Sequence, residues 1–246
     1  MRKFAFTLAE VLITLAIIGV VAAMTMPTLI QNHQKRSLEV ATKKFYSMMS
    51  QAIKHYMADE GIDDLRNSPM TDMGTENSDI DVEDTVYNFV RKYLKVAKEC
   101  EDNCFAETYQ TQSNEISSGI GSSAASGDGY PGMFVLSDGM VLYIQPGDYG
   151  YPIVLYVDVN GKKGPNKIGY DLWGMDIFYD GTIDESGINP ECKQGKEAKD
   201  GQYYLCGGHG TTPSEVRKNK FEQCLDASNY GGCFGHFMEN GFKFDY

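Results

Sequence analysis

From Phe6 to Ile30 the chain is apolar apart from scattered small polar residues, and it carries one charged residue there, Glu10. About 20 such residues are enough to cross the hydrocarbon core of a bilayer as a helix. Arg2 and Lys3 stand immediately before the run, so the positive-inside rule keeps the N-terminus cytoplasmic and sends everything after Ile30 across the membrane. All six cysteines, Cys100, Cys104, Cys192, Cys206, Cys224 and Cys233, lie on the exported side. An even cysteine count in an exported region reads as disulfides.

Three kinds of segment begin this way: a secretory signal peptide cut near Ala22 or Ala23, a plain membrane anchor, and a prepilin leader. A signal peptide needs a basic start, an apolar middle and small residues before the cut. Glu10, at the front of the apolar run, sets this chain apart. A carboxylate in hydrocarbon costs a few kcal/mol, so one found there marks a functional position. Ala5-Phe6-Thr7-Leu8-Ala9-Glu10 resembles the cleavage site of type IV pilins and type II secretion pseudopilins, with Ala5 where the family usually has Gly. Gly19 and Pro27 stand where the family often carries Gly and Pro, and a proline inside a helix removes a hydrogen bond and kinks it.

The resemblance implies cleavage between Ala5 and Phe6 by a prepilin peptidase, N-methylation of Phe6, and assembly with other pilin or pseudopilin subunits at a bacterial inner membrane. It implies that Glu10 pairs with the α-amino group of Phe6 on a neighbouring subunit, because a carboxylate buried among packed helices needs a partner. The alternative is a Glu10 solvated by headgroups at the cytoplasmic interface. The domains expected are a leader over 1–5, a transmembrane and filament-core helix over 6–30, and a periplasmic or extracellular head over 31–246. That head is large for a major pseudopilin, which favours a minor or specialised subunit.

Beyond Pro27 the helical pattern continues to about Tyr56, with Leu38, Ala41, Phe45, Met48, Met49, Ala52, Ile53 and Tyr56 at spacings of three and four. Residues 59–79 read as a loop, 82–99 as a second helix with Val86, Phe89, Val90, Tyr93, Leu94 and Ala97 on one face, and 113–129 as a Ser/Gly/Ala-rich loop. The period then changes to that of strands at 133–136, 140–144 and 151–159, with a fourth candidate at 177–183. Thr212-Pro213-Ser214-Glu215 has the form of a helix start. The expected fold is α+β and pilin-like: a long N-terminal helix packed on a small antiparallel sheet, with a disulfide-tied C-terminal region.

Six cysteines allow 15 pairings. The shortest separations give Cys100–Cys104, Cys192–Cys206 and Cys224–Cys233, and longer-range connections stay open. Cys206/His209 and Cys233/His236 each place Cys and His three apart, a spacing that suits a tetrahedral zinc site. The exported location favours disulfides over zinc. In the loop 158–171, Asp158, Asn160 and Asp171 offer oxygens to a calcium ion. The loop is not an EF-hand, and a turn-rich connection between strands is the plainer reading.

The net charge of −12 argues against nucleic acid as a partner. No Gly-x-Ser-x-Gly, His-Glu-x-x-His or phosphate-cradling motif is present, and no cofactor other than calcium is indicated. The expectation is a structural subunit rather than an enzyme. A membrane-anchored adhesin or ligand-binding tip is the alternative, since 16 tyrosines offer aromatic faces for such contacts. A secreted thiol hydrolase lacks a family signature.

Overall fold

The computed structural model describes residues 7–70, 82–118, 120, 132–146, 153–188, 212–226 and 231–246. Its contacts divide the chain into two units, 1–37 and 38–246, joined by a helix, α1 (Leu8–Glu60), that continues through Pro27.

In the first unit the large apolar side chains of α1 find no cover among the described residues. Leu12, Ile13, Ile17, Ile18 and Val21 are each more than half exposed. By length and composition this helix is long and apolar enough to cross a membrane. The missing N–H of Pro27 leaves one carbonyl of the preceding turn without its helical partner.

In the second unit α1 becomes amphipathic. Leu38, Thr42, Phe45, Met49, Ala52, Ile53 and Tyr56 are buried, at the spacing that puts them on one helical face. They share a core with the inner face of a six-stranded antiparallel sheet in the order β1-β4-β5-β6-β7-β8. The strands are β1 (Val96–Glu99), β4 (Met133–Leu136), β5 (Val141–Pro146), β6 (Ile153–Asp158), β7 (Leu172–Ile177) and β8 (Ile183–Glu185), and a two-stranded ribbon, β2 (Thr108–Gln110) with β3 (Ile116–Ser118), stands apart. Alternation along the strands sorts side chains between two cores. Phe134, Leu142, Ile144, Leu155, Val157, Trp173 and Met175 face α1 and α2 (Val82–Tyr93), whereas Met133, Val141, Tyr143 and Leu172 face Phe105, Tyr109 and Ile168. Both faces of the sheet are therefore covered.

Two expectations are corrected. The second helix stops at Tyr93, and Val96–Glu99 forms an edge strand on β4, with Lys98 opposite Val135 and Glu99 opposite Phe134. Tertiary pairing overrides the local helical pattern there. The segment 177–183 is a turn between β7 and β8, closed by Asp180, whose Oδ1 accepts bonds from the Thr182 N–H and hydroxyl. The strand lies earlier, at Leu172–Ile177, where all six residues are buried and no alternation is visible in the sequence. The helix expected after Thr212 is α3 (Pro213–Asp226), and the Thr212 hydroxyl accepts from the Glu215 N–H. A short α4 (Cys233–Glu239) follows it.

Candidate functional site

Two regions carry groups whose placement is not explained by packing alone: the first turn of α1, and a set of buried carboxylates in the head.

Helix α1 opens on a capping box. The Glu10 carboxylate accepts from the Thr7 N–H and from the Thr7 hydroxyl, each at 2.8 Å, and the Glu10 N–H reaches back to Thr7 Oγ1 at 3.3 Å. Thr at the cap and Glu three residues on satisfy each other's backbone donors, and the negative charge sits at the positive end of the helix dipole. Glu10 therefore has an internal partner before it meets any other chain. Ala5 and Phe6 lie outside the described residues.

In the head, Asp158 at the end of β6 and Asp171 just before β7 are fully buried. Asp158 Oδ2 accepts from the Tyr109 hydroxyl at 2.6 Å and Oδ1 from the Asn160 N–H at 3.1 Å. Asp171 receives the N–H groups of Asn166 at 2.7 Å and Lys167 at 2.6 Å. Burial pushes the carboxyl of Asp158 up to about 7, helped by the charge of Asp171, and burial pushes Asp171 itself up to about 6. Asn160 Oδ1 and Asn166 Oδ1 are buried in the same loop without a hydrogen-bond partner. Among the described residues no group of three or more His, Cys, Asp or Glu side chains converges on a metal position.

The third arrangement was not visible in the sequence. Glu185, on β8, is fully buried and accepts from the N–H groups of Gly232 at 2.6 Å and Gly235 at 3.0 Å. A Cβ at Gly235 would press on Glu185 and Arg217, which explains the glycine. Next to Glu185, Asp184 is bonded to the Arg217 guanidinium through two oxygens, and Arg217 also reaches Glu239 at 2.7 Å. Asp176 on β7 accepts from the Gly187 N–H at 2.7 Å while its other oxygen is buried and unpartnered. Burial raises Glu185 to about 7 and Asp176 to about 6, and Lys220 on α3 partly offsets both. Lys220 also donates to the Ser186 carbonyl. Together these contacts fasten α3 and α4 to the sheet edge. The only sequence sign of them was the density of glycines around Cys233.

The structure joins Cys100 to Cys104 and Cys224 to Cys233, with Cα atoms 6.1 and 5.4 Å apart. Cys192, Cys206 and His209 lie outside the described residues. With its sulfur bound to Cys224, Cys233 is not a thiolate zinc ligand, and His236 instead bonds Asp245 at 2.9 Å and stacks on Phe221. The last residues close over this region. Phe244 stacks on Tyr170, the Phe244 N–H donates to Glu39 of α1 at 3.0 Å, and the Tyr246 hydroxyl donates to the Gly169 carbonyl at 2.8 Å.

Two family models match the chain. One, described as a prokaryotic N-terminal methylation motif, covers residues 1–26. The other, described as a family of unknown function (DUF6613), covers residues 28–178. Comparison with curated proteins and with solved structures finds no match.

Proposed function

We propose, for a chain that belongs to the family of unknown function DUF6613 and opens on a prepilin-type methylation signal, that it is a minor subunit of a type IV pilus or of a type II secretion pseudopilus. The chain is a pilin-like or pseudopilin substrate of a prepilin peptidase, with a membrane-anchoring helix and an α+β head. In this reading the leader is 1–5, Phe6 becomes the methylated N-terminus, residues 6–30 serve first as anchor and then as filament core, and Pro27 kinks the helix. The N-terminus is cytoplasmic and the head is exported. The role is assembly rather than catalysis.

The observation that carries the reading is the Thr7–Glu10 box on an otherwise uncovered apolar helix. Internal hydrogen bonds make Glu10 tolerable for a monomer in the bilayer, where unsatisfied polar groups are costly. The same carboxylate is then available to exchange Thr7 for the amino group of a neighbouring Phe6. The mass of the mature N-terminus from native membranes tests this. A chain beginning at methylated Phe6 is the expected result, and one beginning at Met1 or beyond Ala23 overturns it.

A second reading concerns the loop 158–171. Calcium takes six to eight oxygens, and the unpartnered Asn160 Oδ1 and Asn166 Oδ1 beside Asp158 and Asp171 favour a calcium ion there. Millimolar CaCl₂ is then expected to raise the melting temperature of the full chain in detergent by several degrees, and Asp171→Asn to abolish the rise. Equal melting temperatures with and without calcium would sink the idea.

A further inference from the structure

Glu10 and Gln31 bracket the apolar part of α1. The 20 residues between them hold no charged side chain. Thr14 and Thr25 return their hydroxyls to the carbonyls of Val11 and Val21, each at 2.9 Å, which spares a helix in hydrocarbon two unsatisfied donors. At 1.5 Å per residue the stretch is about 30 Å long, the thickness of the hydrocarbon core of a bilayer.

The six residues that follow, Gln31, Asn32, His33, Gln34, Lys35 and Arg36, are all polar. Six residues exceed one full turn, so the polar ring closes round the helix and no apolar stripe crosses it. All but Lys35 are exposed, and Lys35 is half-buried. The collar is about 9 Å long, close to the thickness of one headgroup layer, roughly 5–8 Å. Leu38, two residues past it, is the first side chain of α1 to enter the core of the head.

We propose that the collar at 31–36 binds the phospholipid headgroups of the exported leaflet and acts as a depth stop, so that the monomer buries residues 11–30 and holds Glu10 at the cytoplasmic border of the hydrocarbon. The inference rests on the reading of α1 as a membrane anchor, and it narrows the buried span from the 25 residues of 6–30 to 20. Sliding the helix toward the exported side would draw Glu10 into hydrocarbon. Sliding it the other way by one turn would draw in Gln31, Asn32 and His33. Either move places polar groups where they are costly. His33, Lys35 and Arg36 put only cationic or neutral side chains at the level of the phosphates, and the two long ones can carry their charge outward along apolar stems. With the depth fixed in this way, the bond between Ala5 and Phe6, five residues before the span, is kept on the cytoplasmic side, where cleavage is expected.

Tryptophan scanning of the full chain reads the depth. Trp173, the chain's one tryptophan, is buried in the head and gives a constant background. Tryptophans are added one at a time at Leu12, Ile18, Val20, Ala23 and Leu29, and each chain is reconstituted in phosphatidylcholine–phosphatidylglycerol vesicles brominated near the ends of the acyl chains. Quenching is then strongest at the bilayer centre. The maximum is expected at Val20→Trp, with Leu12→Trp and Leu29→Trp, equally far from the midpoint of 11–30, quenched equally. The collar variant Q31L/N32L/H33L/Q34L lengthens the apolar run by about 6 Å. It is expected to move the maximum toward Ala23→Trp and to raise quenching at Leu29→Trp above that at Leu12→Trp, with the melting temperature of the head unchanged, as suits exposed positions. A collar variant that keeps the wild-type profile overturns the depth stop. So does a wild-type maximum at Ile18→Trp, the midpoint of 6–30, which places Glu10 inside the hydrocarbon. Both results leave the anchor reading standing. Quenching no greater than the Trp173 background at every position overturns the anchor reading together with the depth stop.

Discussion

Glu10→Ala is expected to leave the chain cleaved and resident in the membrane but absent from filaments. The substitution removes two things at once: the acceptor for the Thr7 N–H and hydroxyl, and the negative charge proposed to meet the amino group of a neighbouring Phe6. The first loss is local. A missing cap costs about 1 kcal/mol, and at the end of a helix as long as α1 it frays one turn. The second loss is larger, because a buried ammonium deprived of its counter-ion is destabilised by about 3–5 kcal/mol, two orders of magnitude or more in association. Glu10→Gln separates the two, since its amide oxygen still accepts from Thr7 but carries no charge. Both variants are expected to fail in assembly, measured as the sheared or cross-linked filament fraction. Glu10→Gln, but not Glu10→Ala, is expected to keep the helix start intact. A Glu10→Gln chain that assembles at the wild-type level would show that capping, and not charge, is what Glu10 supplies.

The parts of this protein that were legible in advance are those governed by local periodicity or by a linear motif. The apolar run announces itself by composition, the buried stripe from Leu38 to Tyr56 by its 3.6 spacing, and the strands expected at 133–136 and 140–144 by short apolar runs on either side of the Ser137-Asp138-Gly139 turn. The strand Leu172–Ile177 does not, because a strand buried on both faces has no alternation to read, and Trp173 and Leu172 face different cores. Val96–Glu99 misleads for the opposite reason: it continues a helical pattern, and only the partner strand β4, nearly 40 residues later, makes it extended. Glu185 was invisible because its partners are the backbone N–H groups of Gly232 and Gly235, and the residues making up that nest have no chemistry of their own to recognise. Of the calcium candidates, Asp158 and Asp171 are not exposed ligands but buried acceptors of Tyr109 and backbone donors. Asn166 enters the group only through its backbone and an orphaned oxygen, which no spacing rule anticipates.

The head is expected to lose stability as pH rises from about 5 to 8, against the more familiar course of acid denaturation. Four carboxyls are held above their usual range by burial: Asp158 and Glu185 at about 7, Asp171 and Asp176 at about 6. In the unfolded chain each returns to about 4. Between those values the folded state binds more protons than the unfolded state, so stability falls with rising pH. The contribution is fully present below the unfolded values and is gone above the folded ones. For each group titrating near 7, the loss between pH 6 and 8 is on the order of 1 kcal/mol. The exposed Asp59 and Glu99, lowered by hydrogen bonds to Tyr93 and Arg91 respectively, are ionised in both states across this range and leave the slope unchanged. Melting temperatures of the full chain in detergent across this range measure the slope. Glu185→Gln, which imitates the protonated side chain, is expected to flatten it while keeping one acceptor for Gly232 or Gly235. Glu185→Ala, which orphans both N–H groups, is expected to cost about 2–5 kcal/mol at every pH. Calcium supplies a further discrimination, because an ion held by Asp158 and Asp171 would favour their charged forms and remove their share of the slope. A melting temperature that instead climbs steadily from pH 5 to 8 in chelator would mean that donors and counter-charges in the folded head outweigh burial at these carboxylates, and the account of them as groups held protonated by burial would be wrong.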